Sequence, residues 1–131
     1  MLKKTITYTD FNGIERTEDF YFHFMKSEVM EMELGTTGGM AELINRIIAT
    51  RDIPEISKLF KRLILESYGV KSPDGKSFIK TQELRDEFVQ SEAYSILFME
   101  LLGDAEKMAE FVNKILPQDV NKPSIPAPAL N

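Results

Sequence analysis

The chain of 131 residues has no cysteine, no tryptophan and a single histidine. Without cysteine there is no disulfide, no thiolate nucleophile and no cysteine-ligated zinc site. A reducing compartment suits such a chain. With one histidine, His23, a multi-histidine metal site is impossible, and no serine or carboxylate stands in a recognisable triad motif around it. A cationic surplus is missing too: the formal net charge is −5. Nonspecific binding to nucleic acid or to an anionic membrane needs that surplus to displace counterions. Long hydrophobic runs are absent. The longest is Ile96-Leu97-Phe98-Met99, far short of the ~20 apolar residues that span a bilayer. The lysines at the start are followed by Thr5-Ile6-Thr7-Tyr8 rather than an apolar run, so no secretory signal is expected.

One stretch imitates a phosphate-binding loop. Gly69-Val70-Lys71-Ser72-Pro73-Asp74-Gly75-Lys76-Ser77 opens with glycine and ends in Gly-Lys-Ser. The spacing is wrong: Val70 to Asp74 is one residue longer than a phosphate cradle allows, and Pro73 has no N–H to donate. Helical text precedes it and extended text follows, the reverse of a strand–loop–helix. Gly69 is expected to stop a helix, and Ser72-Pro73-Asp74-Gly75 to form a tight turn. Asp74-Gly75-Lys76 lacks the alternating acidic ligands of a calcium loop. Glu28, Glu31 and Glu33 face different ways on helical text and fit a solvated surface. Gly38-Gly39 fits a linker better than an anion site. Catalytic, cofactor and metal residues are therefore all expected to be absent.

What is present is clear patterning. Residues 2–9 alternate, with Leu2, Lys4, Ile6 and Tyr8 on one face. Asn12-Gly13 marks a hairpin, and the chain resumes extended to about Phe24, with Phe20, Phe22 and Phe24 on one side. A short helix is predicted from about Ser27 to the glycine at 35. Met40, Leu43, Ile44, Ile47 and Ile48 form the apolar stripe of a second. Asp52 and Glu55 have capping-box spacing before the stripe of Ile56, Leu59, Phe60, Leu63 and Ile64. Thr81 caps a helix through Leu84 and Phe88. The segment Ala93–Leu102 is apolar nearly all round, so it is either central in the core or half facing a partner. Asp104 caps a last stripe of Met108, Phe111, Val112, Ile115 and Leu116. The fold class is α+β, mainly α: an N-terminal β-hairpin over residues 2–24, then a bundle of about five to six short helices. Residues 1–117 are expected to form one globular domain, and 118–131, with Pro123, Pro126 and Pro128, an extended or disordered tail.

Methionine is a pliable apolar residue suited to surfaces that accept varied partners. Met25, Met30, Met32 and Met40 cluster in sequence and cannot all share one side of one helix.

In wording and order the segments KKTITYTDFNGIERTEDFYFHF, EVMEME, GGMAELINRIIATRD, YGVKSPDGKSFIK and FVQSEAYSILFMELLGDAEKMAEFVNKILP resemble the tail assembly chaperones of long-tailed, non-contractile bacteriophages of Gram-positive hosts. The likeness covers residues 3–117. It carries no catalytic signature, and Met25 departs from it, standing where a helix-capping serine or threonine is usual. The resemblance implies a non-enzymatic protein of the host cytoplasm that binds and solubilises the tape-measure protein and helps recruit tail-tube subunits. It also implies loss from the finished virion, and in many relatives a longer frameshifted form. Self-association is a further expected contact; nucleic acid, membrane and cofactors are not expected. On this view a client groove is lined by Met30, Met32, Met40, Leu43 and Ile47, with Tyr94 and Phe98 on the outer side of their helix. The alternative is a structural virion protein of the head–tail connector or tail-completion type.

Overall fold

The computed structural model describes residues 1–35 and 38–117, without the side chains of Met40, Ala41 and Ile48. The proline-rich segment 118–131 lies outside the described residues.

Strand β1 (Leu2–Thr9) pairs antiparallel with β2 (Glu15–Phe22) over its full length, Leu2 opposite Phe22 and Thr9 opposite Glu15. The alternation read from the sequence is realised: Ile6 and Phe22 are buried, while Thr5 and Thr7 stay exposed. The turn between the strands is built by Asp10. Its carbonyl accepts from Gly13 N–H, its N–H donates to the Ile14 carbonyl, and its carboxylate accepts from the N–H groups of Asn12 and Ile14. Gly13 takes φ 80°, the left-handed conformation that closes a three-residue hairpin loop with a glycine bulge. Arg16 Nε bonds Asp10 Oδ2 at 2.6 Å, and with the backbone donors this holds the Asp10 carboxyl below its usual range.

Helix α1 (Lys26–Leu34) starts at Met25, whose side chain makes no cap bond. Glu28 does half the work of a capping box by accepting the Met25 N–H at 2.8 Å. Helix α2 (Met40–Thr50) and α3 (Ile53–Ser67) follow, and Asp52 accepts from Glu55 N–H as expected.

The chain then departs from expectation. Gly69 is not a helix stop. Helix α3 ends at Ser67, and Gly69 lies inside β3 (Tyr68–Lys71), a strand that pairs with β2 and with β4 (Phe78–Ile79). The result is a four-stranded sheet of order β1-β2-β3-β4. Gly69 is there for space: a Cβ would stand 2.7 Å from the Phe78 ring and 2.9 Å from the Ile79 carbonyl oxygen. The look-alike loop at 72–77 is the turn of this second hairpin, where Asp74 accepts from Ser72 Oγ and from Lys76 N–H.

Helices α4 (Gln82–Val89), α5 (Glu92–Leu102) and α6 (Ala105–Ile115) complete the order, capped by Thr81, Ser91 and Asp104. The core joins both ends of the chain: Phe22, Phe24, Ile64, Phe88, Leu97, Leu101, Phe111 and Ile115 form one buried cluster. An aromatic chain runs through it, with Tyr68 stacked on Phe88 at 4.4 Å and Phe22 edge-on to Phe111 at 5.5 Å. Phe24 N–H donates to the Ile115 carbonyl at 2.8 Å, tying the end of the hairpin to the end of α6.

Candidate functional site

Helix α5 is apolar nearly all round, and its neighbours cover only part of it. Ala93, Leu97 and Leu101 are buried, and the helix packs against β1, α6, α3 and α4. Tyr94 and Phe98 stack on each other at 5.7 Å and are half-buried against the core. Burial raises the Tyr94 hydroxyl's pKa. The outer side carries Ile96, 42% exposed, and Met99, 62% exposed. At helical spacing these two lie one turn apart on one stripe.

The other predicted residues divide between two helices. On α1, Met30 is exposed, and Met32 is half-buried against the core. Met25 and Leu34 are exposed near the two ends of that helix. On α2, Leu43 and Ile47 are half-buried, as is Ile44 between them. Met40 opens α2, and its side chain lies outside the described ones. Of the predicted residues Met30 is open, while Met32, Leu43, Ile47, Tyr94 and Phe98 also touch the core; Ile96 and Met99, the more open apolar positions of α5, were not among those named. The signal was available: a helix apolar on every side leaves something uncovered once Ala93, Leu97 and Leu101 turn inward.

Among the described residues the polar groups do not converge on a site of their own. A cleft of about 280 Å³ is lined by Phe24, Met32 and charged groups of both signs. Most of its charges are engaged: Arg62 Nε bonds Glu66 at 2.7 Å, Arg85 Nε bonds the Leu65 carbonyl at 3.1 Å, and Lys80 Nζ bonds Glu28. His23 lies edge-on to Phe78, with Nδ1 buried and unpartnered. Desolvation, then the positive charges of the N-terminus and Lys80, lower its pKa. Among the described residues no three potential metal ligands converge, and no helix is long and apolar enough to cross a membrane.

The family model of phage tail assembly chaperones matches residues 1–126. The chain belongs to that family. The match takes in every strand and helix described above. No curated protein and no solved structure matches the chain. This phage tail assembly chaperone thus acts with protein partners in building a tail, and the apolar faces of α1, α2 and α5 are its candidate contact surfaces.

Proposed function

We propose that the chaperone binds and solubilises the tape-measure protein in the host cytoplasm, helps recruit tail-tube subunits, catalyses no reaction and leaves before the virion is finished. The observation that carries this reading is α5. Its inner face is locked into the core, while Ile96 and Met99 stand open on its outer face. A rigid helix presenting open apolar side chains offers a partner helix a surface already in place. Covering about 500 Å² of apolar surface is worth on the order of 12 kcal/mol before the cost of association. That cost leaves a reversible contact per copy, and many copies along one long client add avidity. The stripe of Leu43 and Ile47 on α2, with Met30 and Met32 on α1 and Met40 at the start of α2, forms the second part of the client surface.

Co-expression with the tape-measure protein tests this. Ile96→Asp with Met99→Asp leaves the chaperone folded, because neither side chain is in the core, and sends the client to the insoluble fraction. A folded double variant that still keeps the client soluble overturns the assignment of α5. The parallel substitution Met30→Asp tests α1 in the same assay.

A further inference from the structure

Strand β1 is an edge, and its hydrogen-bonding groups can be assigned residue by residue. Asp10 directs both backbone groups at the β2 side of the hairpin, to Ile14 and Gly13. In an antiparallel pair such residues alternate with residues whose groups point away. At the far end His23 N–H donates to the Ser67 carbonyl, so the odd-numbered residues of β2 face β3 and its even-numbered ones face β1. Both ends give the same answer. The even-numbered residues of β1 bond to β2, and Lys3, Thr5, Thr7 and Thr9 direct N–H and C=O outward. The side-chain contacts agree: Thr7 touches Thr17 at 2.9 Å and Thr5 bonds Asp19 at 2.6 Å, as expected of the closer, non-hydrogen-bonded pairs.

Exposed edges are normally guarded by short length, proline, bulges or charge. The opposite edge, β4, spans only Phe78–Ile79. The part of β2 beyond β3 carries Glu15 and Asp19 at its outward positions. By contrast, β1 runs eight residues without proline, glycine or bulge. Its outward positions are threonines apart from Lys3, and the other lysine, Lys4, is tied to Glu100 at 3.1 Å. Among the described residues β1 pairs with β2 alone.

We propose that the β1 edge is a self-association surface, on which a second copy of this chain adds its own β1 antiparallel about a two-fold axis through Ile6. The register follows from the assignment. A two-fold axis normal to the sheet sets odd residues opposite odd and even opposite even, because opposed side chains share a face. Of the registers allowed, the one centred on Ile6 lets every outward residue exchange both backbone groups: Lys3 with Thr9, Thr5 with Thr7. Shifting the centre to Thr5 or Thr7 strands an end residue. The Ile6 register also sets Lys4 of one copy opposite Tyr8 of the other, and no two like charges face each other. Threonine pairs across strands are favourable. The two sheets then run on as one, with helices α5 of both copies on the same side.

The test uses the purified chain alone, so its outcome is separate from that of the client reading. Sedimentation or light scattering over a concentration series is expected to give a dimer. Thr7→Pro removes only an outward N–H, the kind of loss an edge strand tolerates, and is expected to give a folded monomer by circular dichroism. The absence of cysteine provides a second readout needing no proline. An equimolar mixture of Thr5→Cys and Thr7→Cys chains, one carrying a mass tag, is expected to form the mixed disulfide on mild oxidation, in excess over either homodimer. A monomer at every concentration overturns the proposal. So does a dimer that survives Thr7→Pro, or a Thr5→Cys chain that couples only to itself.

Discussion

Lys80 shows how much a single side chain holds in place. Its side chain is 10% exposed, and its ammonium bonds Glu28 at 2.7 Å and lies 4.7 Å from the centre of the Phe24 ring. Desolvation lowers its pKa against the opposing pull of Glu28. The second oxygen of Glu28 accepts the N–H of Met25, so one carboxylate both neutralises a half-buried cation and starts α1. His23 sits in this neighbourhood, facing Phe78, with Lys80, the N-terminus and Glu28 as the charges acting on it. Its native pKa is lowered from the usual 6.5. The unfolded chain therefore takes up a proton at a higher pH than the folded one. Stability from this group is complete above pH 6.5 and is lost as pH falls through the native value. Urea midpoints measured between pH 7.5 and 5 are expected to fall for the wild type. They should fall less for His23→Gln, whose side chain does not titrate. The carboxyl groups of Asp10, Asp74 and Glu110 have lowered values of their own. Their contributions are lost mainly below about pH 5, at the lower edge of this window.

Elements were legible in the sequence where one local rule sufficed. Asp52, Thr81 and Asp104 each announced a helix, and each accepts a backbone N–H at its start. The alternation of β1 and the aromatic face of β2 told which side is buried. The turn at Ser72–Gly75 and the extended text after it were readable, but the place of the β3–β4 hairpin in the sheet was not. The pairing of Tyr21 with Gly69 joins residues far apart in sequence, and nothing local encodes it. Gly69 was misread for the same reason. A glycine after a helical stripe looks like a terminator, whereas this one makes room for the Phe78 ring. Gly69→Ala checks the point. A Cβ 2.9 Å from a backbone oxygen cannot be accommodated by a rotamer change alone. Overpacking of this kind costs about 1–3 kcal/mol, and the urea midpoint should drop accordingly. A replaced helix stop would show a different pattern, with Gly69→Asn tolerated; here asparagine is expected to be worse than alanine. The candidate surface was half legible: stripe positions predict which side chains meet a core, but not how much of a stripe its neighbours leave uncovered.

Across the whole molecule burial is distributed unequally, and its distribution bears on how a chaperone works. Phe22, Ile64, Leu97, Leu101 and Ile115 are essentially inaccessible, so β2, α3, α5 and α6 share the most deeply buried contacts. Helix α1 buries only Val29, and α2 packs chiefly on α3 with Leu43, Ile44 and Ile47 half-covered. Regions with few buried contacts open locally at low free energy, ahead of global unfolding. Native-state hydrogen exchange is therefore expected to rank the amides of α2 and α1 below those of α5 and β2 in protection. Under the proposed function a client helix would have two kinds of surface to meet. On the proposed reading α5 offers Ile96 and Met99 on a deeply buried support, and the half-covered stripe of α2 leaves that helix room to adjust. Adding tape-measure segments should raise protection in α2 more than in α5, because only α2 has freedom left to lose. Equal protection of α2 and α5 in the free chain would mean that the α2 stripe is already covered, and would remove it from the client surface.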